Sequence, residues 1–138
     1  MIKQLNLDWQ TASTLCLAAC NYAAEQNLSI CVWVLDRHGN PLAMQRHNEA
    51  PLASTEIARR KAWTAVSFGF PTDQWPQRLK DQPYLLNSLS QQTDMAMFGG
   101  GLPILSESQL VGAIGVSGAS EQQDMQCAQN ALSSLQLI

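Results

Sequence analysis

The sequence predicts an α+β fold in which helices before, between and after two β-hairpins cover an antiparallel sheet of about five strands. Apolar residues recur at helical spacing in three separated stretches, and two β-rich apolar segments turn back on themselves across short polar turns. Strands joined by short turns pair antiparallel, and their apolar face needs helices over it. No repeat, linker or low-complexity tract breaks this order, so residues 1–138 are read as a single domain. A chain of 138 residues buries roughly two thirds of the surface it exposes unfolded, enough for a core without metal or disulfides.

Asp8 is placed to cap a first helix that ends near Asn27; Ala12, Leu15, Cys16, Ala19 and Ala23 keep one of its faces apolar. Residues 29–35 are β-branched and aromatic, which fits a largely buried strand. Residues 36–40 have turn chemistry, and 41–46 return as the second strand of a hairpin. After the loop holding Pro51, Ser54 opens a second helix with Glu56 near its positive end. It runs to about Phe68, where Gly69 closes it and Pro71 follows. Residues 71–93 carry Pro71, Pro76 and Pro83 and no sustained period, so only short helical turns are expected, at 73–79 and 84–90. A short strand is expected at 95–98, leading into Gly99, Gly100 and Gly101. Residues 102–105 and 110–117 flank the turn at 106–109 as a second hairpin. Ser120 caps a last helix, Gln123 completes a capping box, and Met125, Ala128, Ala131, Leu132 and Leu135 form its buried face.

Composition excludes several partners. The net charge is -3 with no run of basic residues, whereas phosphate backbones demand clustered Lys and Arg, so no nucleic-acid partner is expected. No stretch approaches ~18 uninterrupted apolar residues, the length a membrane helix needs. Residues 1–8 lack the apolar core of a signal peptide, and together these features point to the cytoplasm. Only 14% of residues are charged, against a usual ~25%, which leaves neutral surface for contacts between subunits and predicts a homo-oligomer. Cys16, Cys20, Cys31 and Cys127 form no C-x-x-C pair and are read as buried reduced thiols, so no metal site is expected; a soft metal shared by Cys16 and Cys20 is the alternative.

Several residues stand out as candidates for chemistry. Lys61 falls inside the arc of Ile57, Ala58, Ala62, Ala65, Val66 and Phe68 on the second helix, while Arg59 and Arg60 fall outside it. A buried ammonium needs a carboxylate, carbonyls, an anionic ligand or an escape route for its tip. Gly99, Gly100 and Gly101 form either a tight bend at a sheet edge or a loop that lets a ligand approach the amides; they make no phosphate-binding motif. Gly112, Gly115 and Gly118 in and after a strand imply close packing, most simply against a helix. His38 reads as a solvated turn residue, and His47, beside Arg46, as a surface histidine or a ligand to metal or haem iron. Arg46, Lys61 and the glycine loop are expected to converge on one pocket, with an anion between the two cations. In the other arrangement Lys61 pairs with Asp36 or Glu49 and Arg46 faces solvent.

Five ordered blocks then carry a family likeness. Val34, Leu35, Asp36 and Gly39 come first, followed by Arg46 and Ala50, and by Ala58, Lys61, Ala62, Thr64 and Ala65. Residues 98–104, from Phe98 through the three glycines to Ile104, and 111–118 with Asp124 complete the set. Over residues 10–135 the chain resembles the GlcG/HbpS-like family. That resemblance implies a profilin-like fold that assembles as dimers or larger symmetric oligomers. Its members include haem-binding proteins, the C-terminal domain of PduO-type cobalamin adenosyltransferases, proteins encoded beside glycolate or diol metabolism, and a lyase acting on a hydroxylaminobenzoate. Where the family has Arg-Met-Asp-x-Ala this chain has Arg46, His47, Asn48, Glu49 and Ala50, losing an aspartate and gaining a histidine.

The leading functional expectation is a small-ligand or cofactor-binding protein accessory to metabolism, with haem or another tetrapyrrole as first candidate. Its ligand-binding residues would be Arg46, His47, Lys61, Phe98, Gly99, Gly100 and Gly101. One alternative is a cofactor-free lyase, with Arg46 holding a small carboxylate and Lys61 or His47 moving protons. Another is a non-catalytic oligomeric accessory protein.

Overall fold

A computed structural model describes residues 1–137. Helix α1 (Trp9–Glu25) leads into the hairpin β1 (Cys31–Asp36) and β2 (Pro41–Arg46), then α2 (Ser54–Phe68). A 3-10 turn (Thr72–Gln74) and two short helices, α3 (Trp75–Arg78) and α4 (Pro83–Ser90), precede the hairpin β3 (Gly101–Ser106) and β4 (Gln109–Ser117) and the last helix α5 (Glu121–Ser134). The strands lie in the order β2-β1-β4-β3 with every pairing antiparallel, so β2 and β3 are the edges. No helix among the described residues is long and apolar enough to cross a membrane.

The helix ends follow their side chains. The Asp8 carboxylate accepts the Thr11 amide at the start of α1. Gly69, at φ 77°, closes α2. Ser120 and Gln123 form the reciprocal capping box of α5. Each of the two N-terminal caps contributes about 1 kcal/mol by satisfying otherwise orphaned amides, and the Gly69 amide donates to the Ala65 carbonyl at the other end of α2.

The sheet separates two unequal layers. Ile30, Val32, Val34, Ile114 and Val116 pack under α1 and α5 in the larger core. The alternate residues of the same strands face α2, where Leu35 and Ala113 meet Ala62, Ala65 and Val66. That second interface is built from small residues, and Gly115 shows why. A Cβ there would press into the Ala58 carbonyl and lie 2.5 Å from the Ala62 amide, so the helix backbone rests almost directly on the strand. The helix expected against these glycines is thus α2 at Gly115, whereas Gly112 and Gly118 lie against the Leu35 and Ser29 carbonyls instead. A third, smaller cluster joins Trp75, Leu79 and Met95 beneath the irregular segment.

Among the described residues the sheet has four strands, because the one expected at 95–98 does not form. Its backbone is held by a side chain instead: the Ala96 amide donates to Thr64 Oγ1 on α2, and Met95 turns into the third cluster. All four cysteines are buried and unpaired by disulfides. Burial pushes Cys16 and Cys127 up to about 12 and Cys20 up to about 11, so these thiols stay protonated and unreactive at neutral pH.

Candidate functional site

Lys61 is 1% exposed, as its place in the apolar arc of α2 requires. Its side chain passes over the backbone at Gly100, and its ammonium donates to the Val116 carbonyl at 2.9 Å and to Asp124 Oδ2 at 3.1 Å. Asp124 belongs to α5, so this ion pair joins the helix on one face of the sheet to a helix on the other. The second carboxylate oxygen of Asp124 accepts the Ala119 amide at 2.9 Å and anchors the start of α5. Burial lowers the lysine and raises the carboxyl, and their mutual attraction opposes both shifts. The Phe98 ring, 41% exposed, lies 4.8 Å from the ammonium and covers it on the solvent side.

The glycine loop makes room for this strut. Gly100 sits at φ 134°, and a Cβ there would lie 2.7 Å from Lys61 Nζ and 2.8 Å from its Cδ. The neighbouring amides are already committed: Gly99 N–H donates to Glu121 Oε1 at 2.6 Å and Gly101 N–H to Thr72 Oγ1 at 2.9 Å. The Gly100 carbonyl accepts the Val116 amide. This geometry is that of a tight bend at a sheet edge.

Arg46 and His47 form a separate corner at the β2 edge. The guanidinium donates to Thr55 Oγ1 at 2.8 Å and to the Ala50 carbonyl, tying β2 to the start of α2. His47 Nδ1 accepts the Ile30 amide at 2.9 Å, which fixes the tautomer, and Nε2 then donates to the Cys20 carbonyl at 3.1 Å. Both ring nitrogens are occupied. Arg46 and Gly101 lie on opposite edges of a four-stranded sheet, roughly 14 Å apart at the usual strand spacing. The structure therefore brings Lys61, Phe98 and the glycines together, and Arg46 with His47, and among the described residues no hydrogen bond or ion pair links the two groups. Lys61 pairs with neither Asp36 nor Glu49; Asp36 instead holds the β1–β2 turn through Asn40 and the His38 amide.

Two concave surfaces lie elsewhere, along the outer edge of β3 and the neighbouring face of α5. A cavity of about 500 Å³ is floored by Leu102, Pro103 and Leu105 and walled by Pro71 and Leu132. A second, of about 510 Å³, continues past Gln129 toward Met125, Glu121 and Asp73. One stripe of α5, from Glu121 through Met125 and Gln129 to Ser133, borders both, so the groove follows that helix for roughly 18 Å. Pro71, Pro76 and Pro103 give it rigid walls with few backbone donors. Of the expected site residues, Gly99 and Gly101 border it: a Cβ on Gly99 would touch Asp73 and Glu121 at 3.4 and 3.3 Å, and Gly101 immediately precedes Leu102 in the floor.

Two parts of this arrangement were open to sequence reasoning and missed. Asp124 shares a helical stripe with Ala128 and Ala131, so a carboxylate on an apolar face of α5 answers a lysine on an apolar face of α2. Gln122, Gln126 and Gln129 recur at 4 and 3 residues and mark the groove side of α5 by their amides.

The family profile described as haem degrading protein HbpS-like matches residues 7–133, and the chain belongs to that family. The corrinoid adenosyltransferase PduO of Citrobacter freundii is 31% identical over 132 residues, which is 95% of this chain but 39% of PduO. The Klebsiella pneumoniae protein ORFY superposes with a TM-score of 0.90 at 34% identity, covering 100% of this chain and 96% of its own. PduOC, solved in complex with heme, gives a TM-score of 0.85 at 33% identity, covering 94% of this chain and 95% of its own.

Proposed function

We propose that this protein binds a tetrapyrrole, haem first among them, and serves metabolism as a binding protein. The observation that carries the reading is the groove of about 500 Å³ along β3, in a chain with the fold and a third of the residues of PduOC, which was solved with heme. Its volume falls in the range of roughly 300–1,000 Å³ that suits a small-molecule site. Apolar side chains and prolines line it, which suits the faces of a broad flat ring.

In this reading Lys61, Phe98 and the three glycines shape the domain around the groove rather than touch the ligand. Arg46 and His47 brace the far edge. Nothing in the geometry favours the lyase alternative, since both cations are already held by protein oxygens. Adding hemin should give a saturable Soret shift with a stoichiometric endpoint. An unshifted or unsaturable titration removes tetrapyrroles from consideration.

The proposal includes assembly as a symmetric homo-oligomer, supported by the low charge density and by exposed apolar side chains such as Trp9, Leu17 and Tyr84. Light scattering should return a multiple of the 15.1 kDa chain mass; a 15 kDa particle at micromolar concentration rejects it.

A further inference from the structure

Resting on that reading, we infer that the β3 groove recognises the porphyrin ring and supplies no strong ligand to its iron. The walls fit the ring, but the donors do not fit the metal. No histidine or cysteine is among the residues lining either half of the groove. His47 is closed to a metal because its two nitrogens are engaged by the Ile30 amide and the Cys20 carbonyl. His38 is exposed, but it stands in the β1–β2 turn, on the far side of β1 and β4 from the groove. The four thiols are buried in the core. The one sulfur at the groove is the thioether of Met125, which is 6% exposed and belongs to the main core cluster.

Charge sets the orientation. No lysine or arginine lines the groove, and Asp73 and Glu121 stand at one end of it. A dianionic porphyrin therefore lies with its carboxylates away from that end and out toward water, its faces held between the β3 side chains and α5.

Titration with hemin and with metal-free protoporphyrin IX, followed by absorbance and by quenching of tryptophan fluorescence, tests this. Both should bind saturably, with Kd values within about tenfold of each other. Free imidazole should shift the spectrum of the bound hemin, since the protein leaves coordination positions open. Gln129→Trp, at an exposed position of α5, and Leu105→Glu, at an exposed position of β3, should each weaken both ligands at least tenfold. Either variant suffices if the other fails to fold. His38→Ala should change neither Kd, and Asp73→Asn should tighten both by no more than about fivefold, the range of an exposed charge interaction. Hemin binding without protoporphyrin binding overturns the inference, because the iron would then be the recognised group. So does normal binding by a groove variant with wild-type circular dichroism. Failure of both porphyrins to bind rejects the functional reading itself, a different result from either.

Discussion

At one end of the sheet a lysine is sealed in the core against a carboxylate; at the β2 edge an arginine lies half-buried against a hydroxyl and a carbonyl. Both side chains are cations that tie α2 to something else, yet among the described residues only the first has an acid partner within salt-bridge distance. The difference follows from water. Lys61 is 1% exposed and cannot keep a charge without a counter-charge, whereas the Arg46 guanidinium is near enough to solvent for neutral oxygens to suffice. The lysine strut is thus an all-or-none device and the arginine corner a graded one.

That contrast is broken most directly at Asp124. Asp124→Ala leaves an unpaired ammonium in the core and should cost about 3–5 kcal/mol, read from urea denaturation. Pairing Lys61→Met with Asp124→Leu should cost less than either single change, because no charge is then stranded. Equal and additive losses would mean that the two groups act independently and the strut is no unit.

Gly100→Ala attacks the same strut from the backbone side. It forces a side chain into φ 134° and against Lys61, at about 1–3 kcal/mol for the conformation alone, with overpacking in addition. Arg46→Ala should cost about 1–3 kcal/mol by leaving the Ala50 carbonyl and Thr55 hydroxyl without their donor. A loss at Arg46 as large as that at Asp124 would erase the distinction between the two regions.

The smallest expected effect is on pH dependence, where two aspartates differ in sign. Burial alone would raise Asp36, but hydrogen bonds from Asn40, the His38 amide and Asn6 outweigh it and hold the carboxyl below its ordinary value. The unfolded chain then takes up the proton first, so the stabilisation by Asp36 is complete above about pH 4 and is lost as pH falls through the folded value. Asp124 is raised by burial, so the unfolded carboxyl ionises first and its contribution to stability falls as pH rises above about 4. Asp36→Asn should flatten the rise of stability with pH on the acid limb, and Asp124→Asn should steepen it. Urea midpoints measured between pH 3 and 6 show whether the two slopes move apart.

The helices and hairpins were legible in the sequence because each has local punctuation: the Asp8 cap, Gly69, and the Ser120–Gln123 box all act within a few residues of themselves. The strand at 95–98 was misread because nothing local reveals that Thr64, some thirty residues away, takes up its backbone. Lys61 announced its burial through the helical wheel, but its partner sits 63 positions further along on the opposite face of the sheet. The glycines announced close approach, without saying that a lysine side chain is what approaches Gly100. The groove was invisible because its walls come from three separate segments and carry prolines, glutamines and leucines, residues that mark no chemistry by themselves.

Under the proposed function the basic residues are frame and the β3 edge is the ligand's seat. Amide chemical-shift mapping of the 15N-labelled protein during addition of protoporphyrin IX tests this without altering a residue. The largest shifts should fall on Gly69, Leu102, Leu105, Gln129 and Leu132, with the amides of Arg46, His47 and Lys61 little moved. Shifts centred on residues 46–50 or on Lys61 and Phe98, with the β3 edge silent, would contradict it.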